Sequence, residues 1–325
     1  MKRKEKLLLG ILLVAALMAA FFLIGASEPT QDKRKANTET IQTGYVEKAD
    51  VRLVTLRAIV KDKKGRIVTN LKKEEFKLFE DYMPQKITHF IVDTDEPISV
   101  AFLLDVSGSM RLLDRIEEAK EAIRYFVNTL RKDDRFALYI FADGQSELVL
   151  DFTEDKEKFL SVLQPIYAYG QTALHDAVAV TPELVDHNSK GRKAIILISD
   201  GEDNFSRLTI DQAIVMAKAV DIPIYTIAFA DLPEKVVGKK EPVPVKVDIL
   251  SRFSQETGGL LFRVEDPDEL KEACAQIEYE LRHQYIIAYS PRRVFWEGEY
   301  RKLKLEATRE GLTIRTRKGY LAKAK

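Results

Sequence analysis

Cysteine and histidine are scarce in this chain: among 325 residues there are one cysteine, Cys274, and four histidines. A lone cysteine forms no intrachain disulfide and builds no cysteine zinc site. The scattered histidines give no spacing suited to a histidine-based metal centre. Cys274 falls in a stretch of helical amphipathic spacing over 268–282, the setting of a small buried hydrophobe rather than a reactive thiol. An excess of charge is lacking too, since 51 Lys and Arg balance 51 Asp and Glu. A neutral chain exerts no global pull on nucleic acid or on an acidic surface, so no nucleic-acid partner is expected. The phosphate loop G-x-x-x-x-G-K-S/T does not occur either. What is present is ordinary core material, 46% apolar residues, in a length that suits two modest domains or one domain with a substantial addition.

The start of the chain is patterned. Lys2, Arg3, Lys4 and Lys6 precede an uncharged run from Leu7 to Ile24, which ends at Gly25-Ala26-Ser27. A basic end, an apolar run and small residues make the layout of an export signal. The run also reaches the ~18–20 residues needed to cross a bilayer. Residues 1–26 therefore read as a signal peptide or a membrane anchor, and both alternatives stay open. In either case the basic end stays in the cytoplasm and the body is exported, to the periplasm or the outside, held at the inner membrane by residues 7–24 if they are retained. No cysteine follows the run, which excludes a lipoprotein. Residues 27–48 are polar and aperiodic, the composition of a flexible linker.

Residues 49–95 are β-rich. Alternating and β-branched character over 51–60, 75–80 and 85–92 predicts three strands, too few for a stable sheet alone. From 96 the pattern changes. Apolar strands at 99–104, 136–141, 193–198 and 223–229 alternate with helical periodicity at 116–130, 173–185, 211–220 and 268–282. One hairpin interrupts them, turning at Asp143-Gly144 between 136–141 and 147–152. Apolar strands bounded by helices imply a parallel sheet covered on both faces. The expected fold class is α/β, a Rossmann-like doubly wound sheet over 96–283. The segment 284–325 returns to β character, with strands at 284–289, 302–308 and 312–317, and is expected to pair with 49–95 as one β-sandwich.

Oxygen-bearing side chains gather where that fold ends its strands. Asp105-Val106-Ser107-Gly108-Ser109 follows the strand at 99–104 directly. Thr172 precedes the helix at 173–185, and Asp200 follows the strand at 193–198 in Ser199-Asp200-Gly201. In open α/β sheets ligands sit beyond the carboxyl ends of the strands. A hard divalent cation prefers such oxygen donors, and neither cysteine nor histidine competes for a softer ion. The expected metal ligands are Asp105, Ser107, Ser109, Thr172 and Asp200, and the expected ion is Mg2+, with Mn2+ or Ca2+ as alternatives. A plainer reading exists for the first fragment, since Asp105 and Ser107 are also good helix caps. Glu202 and Asp203 read as a solvated acidic loop. His175 and Asp176 read as local hydrogen bonding at a helix start, and Gly258-Gly259 as a turn into the strand at 260–264.

Together these residues resemble the metal-ion-dependent adhesion site of von Willebrand factor type A domains, over roughly residues 97–282. Phe76-Lys77-Leu78-Phe79-Glu80-Asp81, Thr257-Gly258-Gly259 and the stretch from Tyr285 to Tyr289 before Pro291 look like exported bacterial members of this kind, known chiefly from acidobacterial genomes. The resemblance implies a site with a vacant position that an acidic side chain of a protein partner fills. It also implies that Ser107 and Ser109 touch the ion directly, while Thr172, Asp105 and Asp200 exchange between direct and water-mediated contact, moving the loop at 167–171. It implies no particular ligand. Ser107 or Ser109 as a hydrolase nucleophile would need a base, and no histidine falls near them in any evident element. The expectation is a non-catalytic, metal-dependent binding or adhesion protein of the cell envelope. The alternative is a structural or assembly component in which the metal only stabilises the domain.

Overall fold

The structure is a computed structural model that describes residues 53–92, 95–189, 191–229, 247–292 and 298–322. The signal or anchor segment and the linker expected over 1–48 lie outside the described residues. Among the described residues no helix is long and apolar enough to cross a membrane.

The chain begins with four strands, β1 (Val54–Lys61), β2 (Phe76–Glu80), β3 (Met83–Gln85) and β4 (Ile87–Val92). The strand expected over 85–92 divides at Lys86: β3 pairs with β2, whereas β4 pairs with a strand almost 200 residues later in the chain. After β4 come β5 (Ile98–Asp105), β6 (Arg135–Ala142), β7 (Gln145–Thr153), β8 (Arg192–Ile198), β9 (Ile224–Phe229) and β10 (Leu261–Val264). They form one sheet in the order β10-β9-β8-β5-β6-β7, parallel except for β7. Asp143 and Gly144 both adopt positive φ, +50° and +73°. This is the two-residue geometry that joins twisted antiparallel strands, so β6 and β7 meet at the turn expected from Asp-Gly.

Six helices cover this sheet: α1 (Arg115–Thr129), α2 (Lys156–Leu163), α3 (Leu174–Asn188), α4 (Ile210–Ala217), α5 (Val247–Thr257) and α6 (Pro267–Arg282). Their starts are written in side chains. Asp155 accepts from Lys158 N–H, Thr209 from Gln212 N–H, and Asp266 from the amides of Asp268 and Glu269, each satisfying donors that a first turn leaves open. The apolar spacing of α1 (Ile116, Ala119, Ile123, Phe126, Val127) faces one side of the sheet, together with α6 and Val100, Phe102 and Leu104 of β5. The opposite side packs Ala101 and Leu103 of β5 against Leu174, Val178 and Val185 of α3, and against Leu250 and Phe253 of α5. All eight residues of β5 are buried, as a central parallel strand requires. Cys274 lies in this core, where burial pushes its thiol up to about 12. Helices α2 and α5 were not anticipated: α2 spans only two turns, and the buried face of α5 mixes apolar Leu250 and Phe253 with polar Ser254 and Thr257.

The last strands, β11 (Tyr285–Tyr289), β12 (Tyr300–Ala307), β13 (Thr313–Arg315) and β14 (Gly319–Leu321), return to the first four. They build two four-stranded sheets, β13-β1-β11-β4 and β14-β12-β2-β3. A common core lies between these sheets, with Leu56, Val60, Tyr285 and Ile287 from one meeting Leu78, Leu303, Leu305 and Tyr320 from the other. Tyr285 stands opposite Val92 in the β4–β11 pair, so the α/β layer leaves and re-enters the sandwich between two neighbouring strands. Ion pairs cross the junction: Arg57 to Asp221, Lys61 to Glu280 and Lys318 to Glu256.

Candidate metal centre

Strand order positions the site. β5 lies between β8 and β6, and the chain runs from β5 outward to β6 and β7 before returning to β8 on the other side. The loops leaving β5 and β8 therefore part in opposite directions and open a crevice at their carboxyl ends. In the register Leu104 pairs with Ile198, which brings Asp105 level with Ser199 and next to Asp200.

Four of the five expected ligands are buried, with Asp105 and Ser107 fully enclosed, Thr172 at 1% exposure and Asp200 at 2%; Ser109 is half-buried. Asp105 accepts the Ser107 amide on Oδ1 (2.9 Å) and the Ser199 hydroxyl on Oδ2 (2.6 Å). Asp200 accepts the Glu202 amide on Oδ1 (3.1 Å) and Nη1 of Arg115 on Oδ2 (2.9 Å). The hydroxyls of Ser107 and Ser109 lie 3.0 Å apart. Ser107 occupies the N-cap of the following 3-10 turn, yet its side chain makes no capping bond. Capping therefore does not account for this serine.

Backbone bonds lock the loops together. Gly108 N–H donates to Gly170 C=O (2.9 Å), and Tyr169 N–H to Val106 C=O (2.6 Å). Gly170 holds φ +72°, and a Cβ there would lie 2.4 Å from a carboxylate oxygen of Asp143. The same Asp143 accepts the Gln171 amide (2.7 Å). Glycine is required here both by the left-handed backbone and by that close approach. The backbone of Thr172 is held by a second clasp: its amide donates to Asn204 Oδ1 (2.9 Å), and its carbonyl accepts the amides of Asn204 and Phe205. The sequence motif thus resolves into three loops, after β5, before α3 and after β8.

The neighbouring acids have other tasks. Asp203 accepts the His175 and Ser206 amides, and Asp176 accepts those of Arg207 and Leu208. His175 directs Nδ1 at the Leu208 carbonyl (3.1 Å). These groups fasten the loop after β8 to the start of α3, as local hydrogen bonding of His175 and Asp176 implies, whereas Asp203 departs from the expected solvated loop: its side chain is only 10% exposed because it accepts these amides. Gly258, at φ +91°, turns the chain, and Gly259 lies against the Ile224 carbonyl, where a Cβ would come within 2.0 Å.

Two residues were missed. Ser199 was read only as the neighbour of Asp200, although β8 and β5 in register place its hydroxyl on Asp105. Arg115 has no place in the sequence reading, which starts the helix at residue 116. A signal for it exists: the first turn of a helix favours acids, because the macrodipole is positive there, and a buried arginine as the first residue of α1 runs against that preference.

Electrostatically the site is short of positive charge. Burial, and after it the negative charge of Asp200, push the Asp105 carboxyl up to about 7, against the lowering hydrogen bonds of Ser107 and Ser199. Two enclosed carboxylates repel one another, and Arg115 supplies one compensating charge, on the Asp200 side. The donors are two carboxylates and three hydroxyls, all hard oxygens, and among the described residues no group of three or more His, Cys, Asp or Glu side chains competes as a metal site. Such a set fits an oxygen-loving divalent cation.

The strand-end motif lies inside a segment, residues 100–202, that matches the family model of the von Willebrand factor type A domain. That segment lies within the Rossmann-like doubly wound layer described above. Among curated proteins the chain is 28% identical over 200 residues to an uncharacterized protein of Borreliella burgdorferi, covering 56% of this chain and 57% of that one. It is 25% identical over 208 residues to a UPF0353 protein of Mycobacterium avium, covering 58% and 62%. The match thus spans less than two thirds of the length of these relatives. Among solved structures, the hypothetical protein BatB of Bacteroides thetaiotaomicron is 22% identical with a TM-score of 0.46, over 57% of this chain and 97% of that one. A von Willebrand factor type A protein of Catenulispora acidiphila is 13% identical with a TM-score of 0.47, over 85% and 76%.

Proposed function

We propose that this protein is a non-catalytic, metal-dependent binding protein of the cell envelope. Asp105, Ser107, Ser109, Thr172 and Asp200 would hold one divalent cation, with Mg2+ the first candidate, and a protein partner would supply a carboxylate to it. The carrying observation is the meeting of two buried carboxylates and the paired Ser107–Ser109 hydroxyls at the strand-order switch, with a deficit of positive charge between them. When bound, the ion would supply a Lewis-acidic positive centre open to an anionic ligand. The protein's own part is positioning. Ser199 and the Ser107 amide fix Asp105, the Glu202 amide and Arg115 fix Asp200, and the Asn204 clasp fixes the loop of Thr172.

The non-catalytic reading is supported by what surrounds the serines. Their hydroxyls contact one another, and His175, the histidine closest in sequence to Thr172, is turned to the Leu208 carbonyl. Nucleophilic catalysis needs a base within hydrogen-bond reach of the hydroxyl. The envelope setting rests on the basic, apolar and small-residue order of the first 27 residues.

The test is capture from a solubilised envelope extract by the full chain, with magnesium and with chelator, beside Asp105→Ala. Binding predicts a partner retained only by the wild-type chain with magnesium. An identical catch in both conditions overturns metal-mediated binding. Loss of the chain's own fold in chelator favours a purely stabilising ion.

A further inference from the structure

In the metal reading Arg115 only positions Asp200, yet its own placement is unusual. It is the first residue of α1, directly after Asp114, which holds a left-handed φ of +56°. A non-glycine residue in that region is uncommon and strained. The kink separates the 3-10 turn over Gly108–Asp114 from α1. The Arg115 side chain is 7% exposed and its Nη1 lies 2.9 Å from Asp200 Oδ2, in a carboxylate that is itself 2% exposed. A guanidinium cannot shed its charge in a protein, and helix polarity opposes a cation at this position. Asp200 is one of the groups that compensate its burial.

Resting on the metal reading above, we propose that Arg115 is a built-in counter-cation of this site that sets its affinity for metal and its demand for an acidic partner. Before metal binds, Arg115 neutralises one of the two carboxylates, so the site persists without an ion. A divalent cation and the guanidinium then compete for Asp200. Like charges a few ångströms apart repel strongly in a partly buried setting, which weakens metal binding by the chain alone. The charge count gives the second consequence. Asp105 and Asp200 bring two negative charges, the ion two positive and Arg115 one more. The loaded site therefore carries one positive charge in excess, and a partner carboxylate cancels it. Without Arg115 the loaded site would already be neutral. Metal and carboxylate binding are thus coupled through this one side chain, each strengthening the other.

The experiment measures Mn2+ binding to the full chain in detergent, from the loss of the free-ion electron paramagnetic resonance signal, with and without acetate as carboxylate probe. Wild type, Arg115→Gln, Arg115→Lys and Asp105→Ala are compared, and circular dichroism checks each fold. Arg115→Gln is expected to bind Mn2+ tighter than wild type by about tenfold or more when acetate is absent. Arg115→Lys, which keeps the charge, should stay near wild type. Acetate should tighten Mn2+ binding by wild type and hardly affect Arg115→Gln. The coupling in wild type needs no variant, so its absence overturns the proposal even if Arg115→Gln does not fold. If acetate leaves wild-type Mn2+ affinity unchanged, or if Arg115→Gln binds no tighter, the role given to Arg115 is wrong while the metal site stands. If neither chain binds more Mn2+ than Asp105→Ala, the metal reading itself is wrong.

Discussion

Buried acids occur in both halves of the molecule, and their surroundings differ. In the sandwich, Glu80 is 2% exposed. It accepts from the hydroxyls of Tyr289 and Tyr320 and lies 3.5 Å from Arg301. Donors from β11, β12 and β14 converge on this one carboxylate, and the other acids paired with Arg301, Asp81 and Glu299, are 28% and 29% exposed. At the strand ends of the α/β layer, Asp105 and Asp200 are as deeply buried, but they stand as a pair with one arginine between them. The first arrangement balances its charge within the protein, one carboxylate facing one guanidinium and two tyrosine hydroxyls, although Nε and Nη1 of Arg301 make no hydrogen bond. The second leaves net negative charge enclosed, which a fold selected for stability alone would avoid. Glu80 therefore fastens two sheets together, and the aspartate pair is built to receive a cation.

Substitutions sharpen this contrast. The largest effect belongs to Glu80→Ala, which takes the shared acceptor from two buried tyrosine hydroxyls, leaves the buried Arg301 to Asp81 and Glu299, and should cost about 3–5 kcal/mol in urea unfolding. A loss below about 1 kcal/mol would erase the distinction between the two centres. Next comes the joint between the halves. Glu280 is buried, and burial alone would raise its carboxyl, but Arg315 and Lys61 outweigh that and hold it below the ordinary range. The sign follows: a depressed carboxyl stabilises the fold above its unfolded value, about 4.3, and that contribution is lost as pH falls through the lower folded value. Glu280→Gln should cost about 2 kcal/mol at neutral pH. Its gap to wild type should close as pH drops below the ordinary glutamate range, and a constant gap would contradict the linkage. Tyr320→Phe is smaller, about 1.5 kcal/mol, since Glu80 keeps Tyr289 and Arg301 as partners.

Much of this organisation is visible in sequence because burial writes itself into composition. β5 and β8 are apolar at almost every position, which signals a sheet covered on both sides, and Asp143-Gly144 marks its hairpin by turn chemistry alone. Four of the five oxygen donors stand out because they follow such strands, and Thr172 because it stands just before a helix. What stayed hidden is long-range. That β1 lies between β11 and β13, or that the chain changes sheets at Lys86, depends on pairings with residues some 200 positions away, which no local period encodes. Arg115 and Ser199 were hidden for the same reason: each acts across a strand register or a loop, on a carboxylate about 90 residues distant. Helix α2 was missed because eight residues give too short a run for a 3.6-residue period to show.

The smallest change in stability is expected at the site itself. Asp105→Asn retains the side-chain shape and removes one of two repelling charges, so in chelator its stability should differ from wild type by less than about 1 kcal/mol. Thermal unfolding of wild type and Asp105→Asn, each with magnesium and with chelator, is the most direct test of the cation site. The expected result is that magnesium raises the midpoint of wild type and leaves that of Asp105→Asn where chelator put it. An equal rise in both proteins, or none in wild type, would contradict the assignment.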